Sequence, residues 1–301
     1  MSPDTRNLIN NNVGLAAFVA RLTPPWLGHR LAFFLADRIS ARKSWAMVQA
    51  VRANQWVVSG EKLSGKALDR QVRETFRNTA LSIYDLQRDL KNWELMRRLA
   101  EENNLLSEVL KRPRFAERGL MVVGVHMSNF DFIVQAAFRL GGQGLALTVP
   151  ELPKGYQKQL EMRKQSGMEL LPVSKSALRR SIEYLKQGGL VVTGLDRPIE
   201  APSCRPLFFG RPSALPVLHI YLALKARVPL IVAAAVRKED GIYQVISSEP
   251  LEMVESRDRD EELQVNADAV CRLAEGFIRL APTQWSMSFP VWPEALEEVG
   301  G

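Results

Sequence analysis

The pattern of apolar and polar positions along the chain changes near residue 115. Before that point, apolar residues recur every three or four positions, which places them on one face of a helix. The clearest case is residues 65–90, GKALDRQVRETFRNTALSIYDLQRDL, with apolar residues at Leu68, Val72, Phe76, Ala80, Ile83 and Leu86. A second such segment, LAEENNLLSEVLKR, ends at Pro113. We therefore predict a helical N-terminal region over residues 1–115.

From residue 116 to residue 301, short continuous apolar runs alternate with segments of helical periodicity. The runs are LMVVGV (120–125), GLALTVP (144–150), MELLPV (168–173), GLVVTGLD (189–196), VPLIVAAAV (228–236) and IYQVISS (242–248). Such runs are typical of strands buried in a parallel sheet. Because predicted strands and helices alternate, we predict an α/β fold. Its mostly parallel central sheet is flanked by helices and forms one compact unit with the N-terminal region.

One apolar-rich segment stands apart. Residues 13–40, VGLAAFVARLTPPWLGHRLAFFLADRIS, form two short apolar stretches that are broken by TPP and interrupted by charged residues. The segment is therefore too interrupted to span a membrane. It could lie in a membrane interface with its apolar face toward the lipid, or it could be a helical pair packed on the rest of the chain. The sequence leaves both interpretations open.

Composition narrows the possible functions. The chain has 301 residues, of which 46% are apolar, and a net charge of +7. A basic chain suits nucleic acid, an anionic membrane surface or a phosphate-bearing ligand. No nucleic-acid-binding motif is present, so we expect no nucleic-acid partner. The two cysteines, Cys204 and Cys271, lie far apart, and no Cys/His cluster accompanies them. We therefore expect a reducing, cytoplasmic setting and no metal site.

The candidate chemistry centres on GVHMSNFD, residues 124–131. His126 ends a predicted strand, and so does Asp196. Ligands bind at the carboxyl ends of parallel strands, so we expect both residues at the same edge of the sheet. A helix that begins near Ser128 would place Asp131 in its first turn, where Asp131 could accept the Nδ1 proton of His126 and leave Nε2 as a base. Alternatively, Ser128 and Asp131 form a capping box. The two interpretations are compatible, because a carboxylate has two oxygens.

The motif resembles the H-x-x-x-x-D signature of the glycerolipid acyltransferase superfamily. VGVHMSNFD is most similar to the lipid A biosynthesis acyltransferase family, which includes lauroyl and myristoyl transferases and the mycobacterial phosphatidylinositol mannoside acyltransferases. Ser128 and Phe130 stand where that family usually has Gly and Trp. The resemblance covers roughly residues 15–290. Further similar blocks are ALDRQVRETFRNTALSIYDL (67–86), RKQSGMELLPVSKSALRRSIEYLKQGGLVVTGLDRP (163–198), LFFGRPSALP (207–216) and APTQW (281–285).

The resemblance implies acyl transfer from a thioester, acyl-CoA or acyl-carrier protein, to a hydroxyl of a glycolipid. The thioester is a co-substrate, and no cofactor is expected. The implied location is peripheral, at the cytoplasmic face of the cell membrane, on the lipid surface. His126 would be the general base and Asp131 its orienting acid, with Glu200 as a further catalytic candidate. The expected substrate-binding residues are Ser128, Asn129, Arg163, Asp196, Arg197 and Arg211.

Two details of that implied site concern its arginines. Arg163 could bind a phosphate or polarise the oxyanion. Arg197, Arg205 and Arg211 cluster around the loop after Asp196. They could bind a pyrophosphate, the phosphopantetheine of a carrier protein or a lipid phosphate, or they could belong to a solvated loop.

Other functions stay open at this point. An acyl-thioester hydrolase would use the same histidine on water, although no G-x-S-x-G elbow is present. A glycerophospholipid acyltransferase and a non-enzymatic membrane-binding protein are further alternatives. GEKLSGKA (60–67) approaches a phosphate-binding loop but has Ala67 where a serine or threonine would hold Mg²⁺.

Overall fold

The computed structural model of the protein describes residues 23–111, 118–149 and 157–299. Several predictions fall partly on other residues. The first half of segment 13–40, the helix end at Pro113 and the start of the helix before residue 167 lie outside the described residues.

The N-terminal part is helical, as its periodicity predicts. Helix α1, the second half of segment 13–40, packs along α3. Gly28 permits this close approach, because a Cβ there would lie 2.1 Å from the Tyr84 ring. The helices of this part are α1 (Pro25–Ser40), α2 (Ala46–Val58), α3 (Gly65–Asp89), α4 (Trp93–Glu101) and α5 (Asn104–Lys111).

The rest of the chain forms a six-stranded sheet in the order β3-β2-β4-β1-β7-β8. All neighbouring pairs are parallel except β7 and β8, which are antiparallel. The predicted α/β class and mostly parallel sheet are therefore confirmed. The strands of this sheet are β1 (Leu120–Gly124), β2 (Leu145–Thr148), β3 (Glu169–Pro172), β4 (Leu190–Gly194), β7 (Leu230–Arg237) and β8 (Tyr243–Ser247). A separate hairpin consists of β5 (Leu207–Phe208) and β6 (Arg211–Pro212).

Helices cover both faces of the sheet because successive strand side chains point to opposite faces. Met121 and Val123 of β1 belong to the largest buried cluster, whereas Leu120 and Val122 pack with Val109 of α5 in a separate cluster. The largest cluster also contains residues of α8, α9 and α10. The helices in this half are α6 (Phe130–Arg139), α7 (Gln157–Gln165), α8 (Lys175–Lys186), α9 (Leu218–Ala226), α10 (Arg259–Leu280) and α11 (Ala295–Val299).

One predicted helix start is wrong. The segment ALPVLHIYLALKA, residues 214–226, predicts a helix over its whole length, but the helix begins only at Leu218. Pro216 explains the shift, because the residue before a proline is disfavoured in helical conformation.

The segment after α10 ties the N-terminal helices to the sheet. Asn54 of α2 donates to the carbonyls of Met287 and Phe289, at 3.0 and 2.8 Å, and accepts from the N–H of Val291 at 3.1 Å. Asn54 is 1% exposed, so this bonding satisfies a fully buried amide. The segment is thereby held between α2 and the carboxyl edge of the sheet.

Candidate active site

His126 and Asp196 meet at the carboxyl edge of the sheet. In the parallel pair β1–β4, Gly124 lies opposite Gly194, and each chain runs two residues further to reach its polar side chain. His126 Nδ1 lies 2.5 Å from Asp196 Oδ1. The prediction that both residues lie at one edge is confirmed, and the contact follows from the strand register.

Asp196 is fully buried, and each of its oxygens has a donor. Oδ2 accepts from the backbone N–H of His126 at 2.9 Å and from Trp285 Nε1 at 2.6 Å. Hydrogen bonds to an ionised carboxylate are stronger than those between neutral groups, so these bonds fix the Asp196 side chain in place. A carboxylate can only accept at this contact, so Nδ1 is the donor and Nε2 is the ring nitrogen that Asp196 does not engage.

The imidazole of His126 is also confined on its sides. The Phe130 ring packs edge-on against it, with 4.6 Å between ring centroids. On another side the ring lies over Gly194, where a Cβ would come within 2.8 Å of Cε1. The side chain remains 26% exposed. The ring is therefore held in one place while one part of it is open to a substrate.

The predicted contact between Asp131 and His126 Nδ1 is wrong, since Asp196 takes that position. Asp131 instead accepts a hydrogen bond from Arg163 Nε at 2.8 Å. The predicted capping box is also wrong. Ser128 has a left-handed backbone, with φ of 49°, and α6 begins at Phe130 after Asn129, whose side chain makes no cap hydrogen bond. This turn moves the first helical residue from the expected Asn129 to Phe130, so Asp131 is the second residue of the helix and not the third.

Arg163 and Asp131 form a partly buried ion pair between α7 and α6, with 23% and 6% of their side chains exposed. Both were predicted site residues, but their pairing was not. The pair gives Arg163 a fixed position near the start of α6, because Asp131 is the second residue of that helix.

Each of the three loop arginines has a contact within the protein. Arg211 donates to Glu61 at 2.7 Å and to both oxygens of Glu298 at 2.8 and 2.7 Å, and these carboxylates raise its pKa. Arg205 pairs with Glu294, and Arg197 lies over the Phe289 ring at 4.4 Å. Arg211 is thus engaged by two carboxylates, and we withdraw it as a substrate ligand.

The roles of three further predicted residues, Glu200, Asn129 and Ser128, stay open. Glu200 is exposed in the loop four residues beyond Asp196, and its catalytic role stays a prediction. Asn129 is 2% exposed, and its Nδ2 has no hydrogen-bond partner within the described part of the chain. The predicted roles of Asn129 and Ser128 in substrate binding also stay predictions.

Gln284 and Trp285 are the structural residues of the site that sequence reasoning missed. The Gln284 carbonyl accepts from the N–H of Ser128 at 2.7 Å, and its side chain bonds both the N–H and the carbonyl of Arg237, at 2.7 and 2.8 Å. APTQW was recognised only as a similar block. Its physical role is to join the motif loop, Asp196 and the end of β7.

The β5–β6 hairpin packs against the Trp285 ring through Phe208. Phe209 and Gly210 have positive φ values of 52° and 77°, as a tight two-residue hairpin turn requires. The turn places Phe208, which is fully buried, 6.0 Å from the Trp285 ring and 5.5 Å from the Trp292 ring. This aromatic group holds the indole that donates to Asp196.

Helix α1 exposes a row of apolar side chains to solvent. They are Trp26, Leu27, Leu31, Phe34 and Leu35. Arg30 and Arg38 lie over the rings of Trp26 and Phe34, so basic groups border the apolar row. Within residues 23–111, 118–149 and 157–299, no helix has the length and apolar character needed to cross a membrane. The same ranges contain no group of three or more His, Cys, Asp or Glu residues placed to hold a metal ion.

A protein-family model matches the chain. The family model described as bacterial lipid A biosynthesis acyltransferase matches residues 16–293, which is nearly the whole chain. No curated protein matches the chain at a significant level.

Proposed function

Because the chain belongs to the bacterial lipid A biosynthesis acyltransferase family, and is therefore an acyltransferase, we propose that it moves a fatty acyl group from an acyl thioester to a hydroxyl of a glycolipid. His126 is the general base, and Asp196 is the acid that orients it. The observation that carries this assignment is the 2.5 Å contact between His126 Nδ1 and Asp196 Oδ1, which leaves Nε2 to face the substrate.

In the proposed reaction, Nε2 of His126 acts as the base. A hydroxyl is a weak nucleophile at neutral pH, so a positioned base is needed. Nε2 takes the proton of the acceptor hydroxyl while its oxygen attacks the thioester carbonyl, and Asp196 stabilises the imidazolium. The tetrahedral intermediate then expels the thiolate, which takes the proton from Nε2. An ester and a free thiol result, without a covalent acyl-enzyme.

We assign Arg163 the role of stabilising negative charge. That charge is either the one that develops on the carbonyl oxygen or the one that a substrate phosphate carries. The ion pair of Arg163 with Asp131 supports the assignment, because a fixed cation is effective where charge appears in the transition state. Asp131 is then a positioning residue that acts through Arg163. In this proposal Asp196 moves from the predicted substrate-binding set to the catalytic pair.

We further propose that α1 lies on the membrane and brings the site to its lipid substrate. Its exposed apolar row can enter the lipid interface while Arg30 and Arg38 meet lipid phosphates. The proposed location is peripheral, on the cytoplasmic face. The acceptor is a lipid A-like or phosphatidylinositol mannoside-like glycolipid, and the donor is acyl-CoA or acyl-carrier protein.

A thioester hydrolase would use the same Nε2 on water, so the test must separate the two reactions. Thiol release from palmitoyl-CoA and from palmitoyl-carrier protein is measured with and without vesicles that contain a bacterial glycolipid extract, and the lipids are analysed by mass spectrometry. We expect acceptor-dependent thiol release and one glycolipid that gains an acyl mass. His126→Ala should abolish both. Full-rate thiol release without acceptor would establish hydrolysis instead.

The same experiment addresses the remaining alternatives. An arm with lysophospholipid vesicles tests the glycerophospholipid acyltransferase alternative, which predicts acylation there and none of the glycolipid. The non-enzymatic alternative is not retained, because the family is one of acyltransferases.

A further inference from the structure

A polar cleft opens beside α1, near the end of α3. The α3 residues that contact the segment after α10 lie earlier in that helix. The cleft lies between α1, α3, α4 and the turn that joins β7 to β8, and it has a volume of about 260 Å³. Its walls carry charged and hydrogen-bonding side chains that the proposed reaction does not use. They include His29, Arg88, Asp89, Arg98, Arg237 and Tyr243.

The backbone of Arg237 is held by the same residue that holds the motif loop of the proposed catalytic pair. Its backbone N–H and carbonyl are both bonded by the side chain of Gln284, whose own carbonyl holds Ser128 of the motif loop. Its guanidinium rests against the turn at Gly241, where a Cβ would lie 2.9 Å from a terminal nitrogen. A ligand held by Arg237 would therefore have a defined position relative to His126.

The three arginines of the cleft lack close acceptors among the described residues. Arg88, Arg98 and Arg237 each approach a carboxylate only at 3.8 or 3.9 Å, which is beyond hydrogen-bond range. The buried Nε of Arg237 has no hydrogen-bond partner within the described part of the chain. A phosphate group could supply acceptors to these guanidinium groups, which are shaped to bind it with two parallel hydrogen bonds.

Asp85, the carboxylate that Arg237 approaches, is already engaged by other groups. One of its oxygens lies 3.1 Å from His29 Nε2, and the other accepts from the Tyr243 hydroxyl at 2.5 Å. Asp89 is different. No described side chain donates a hydrogen bond to it, and burial raises its pKa to about 6. A sugar hydroxyl is the kind of donor that such a carboxylate lacks.

The position of the cleft favours a ligand that belongs to a lipid. Pro25 and His29 of α1 form part of its wall, and the other side of α1 carries the exposed apolar row with Trp26 and Phe34. A lipid whose chains stay in the membrane can reach a cleft at the edge of a membrane-bound helix. The volume lies slightly below the about 300–1,000 Å³ of pockets for drug-sized ligands, which suits a single phosphorylated sugar.

We propose that this cleft binds the phosphorylated sugar of the acceptor glycolipid, with Arg237 and Arg98 on the phosphate and Asp89 on a sugar hydroxyl. The inference rests on the proposed function for the identity of the lipid. It adds a separate binding site that orients the acceptor by its phosphate while a hydroxyl of the same molecule reaches His126.

The direct test measures binding without turnover. The full-length protein is titrated with glucose 1-phosphate, glucose and inorganic phosphate, with ligand-observed NMR as the readout. Arg237→Gln is compared with Lys238→Gln, which removes the same charge from the exposed neighbouring position. We expect saturable binding of glucose 1-phosphate that Arg237→Gln weakens at least tenfold and Lys238→Gln leaves unchanged. Glucose alone should bind much more weakly, and inorganic phosphate should compete.

A second variant guards against misfolding of the first. Arg98→Gln changes a half-exposed side chain, so the fold should survive, and binding should weaken severalfold. Thermal unfolding midpoints of all variants are recorded beside the titrations. With the acceptor in vesicles, Arg237→Gln should raise KM for the lipid about tenfold and change kcat less than threefold.

Three results would overturn the inference. They are the absence of saturable glucose 1-phosphate binding to the wild type, equal binding by the Arg237→Gln and Lys238→Gln variants, and a loss of CoA binding in Arg237→Gln. The last would assign the cleft to the phosphates of the donor. If binding behaves as expected but no acyl group is transferred, the proposed function fails while the cleft remains a sugar-phosphate site.

Discussion

Gly194 is the last residue of β4 and lies beneath the imidazole of His126. Replacing it with alanine adds one methyl group, and its Cβ would lie 2.8 Å from His126 Cε1 and 3.6 Å from Nε2. Two carbon atoms in contact prefer about 3.5–4.0 Å. The ring must therefore move by roughly 1 Å, while Nδ1 is tied to Asp196 by a 2.5 Å contact.

The expected cost of that movement falls on activity more than on stability. A displacement of about 1 Å in a reacting group can lower the rate by about 10²-fold. The backbone of Gly194 does not have a positive φ, so alanine introduces no conformational strain there. The three atoms nearest to that Cβ all belong to the His126 ring, at 2.8, 3.6 and 3.7 Å. The crowding therefore falls on this one side chain, and we expect the fold to persist.

The assay is steady-state acyl transfer from an acyl thioester to glycolipid vesicles, with a thermal unfolding curve for each protein. Gly276→Ala is the matched control, because it makes the same change in α10, where a Cβ meets nothing within 4 Å. We expect Gly194→Ala to lose about 10²-fold in kcat and the control to keep full activity. If Gly194→Ala retained more than half of the wild-type kcat, the position of the His126 ring would not govern the reaction.

Three further predictions test the pair, the membrane contact and the cleft. Asp196→Asn should lower kcat by about 10³–10⁴-fold, as loss of an orienting carboxylate does elsewhere, whereas Asp131→Asn acts through an arginine and should cost about 10²-fold; steady-state kinetics that rank them in the opposite order would restore the sequence-based pairing. The double change Phe34→Ser and Leu35→Ser removes two half-exposed apolar side chains, worth about 2 kcal/mol of lipid burial. Vesicle sedimentation should show about 30-fold weaker binding, unlike Val254→Ser on a distant loop, and equal losses would refute the role of α1. The pKa of Asp89 is raised from 3.8 to about 6, so the folded chain holds that proton more tightly, and the free energy of unfolding falls as pH rises from about 4 to 6. In urea titrations at pH 4.5 and 7.5, Asp89→Asn should remove that fall, by about 1 kcal/mol after allowance for solvent screening, and an unchanged pH dependence would contradict the assignment.

The sequence by itself determined the elements and the edge on which the site stands. Continuous apolar runs and three-to-four spacing identify strands and helices because each element must bury one face or both. The alternation of strands and helices predicts parallel strands, and the carboxyl ends of parallel strands share an edge, so His126 and Asp196 are both predicted at that edge. The sequence thus predicts that the two residues share an edge of the sheet, but not that they are in contact.

The tertiary structure decided which acid meets the histidine. Asp131 is five residues away in sequence and Asp196 seventy, yet Asp196 is the partner. The choice depends on the register of β1 against β4 and on the left-handed turn at Ser128. A single chain pattern encodes neither, because register is fixed by packing between strands.

The same reason explains the other corrections. Arg211 is bound by Glu61, 150 residues earlier in the chain, and the Tyr243 hydroxyl is bound by Asp85, 158 residues away. Apolar periodicity reports only which face of an element is buried, and charged residues at such separations carry no signal of each other. The sequence thus determined the α/β sheet and the edge that carries the site, whereas long-range packing decided which charged groups are paired and which remain open to a ligand.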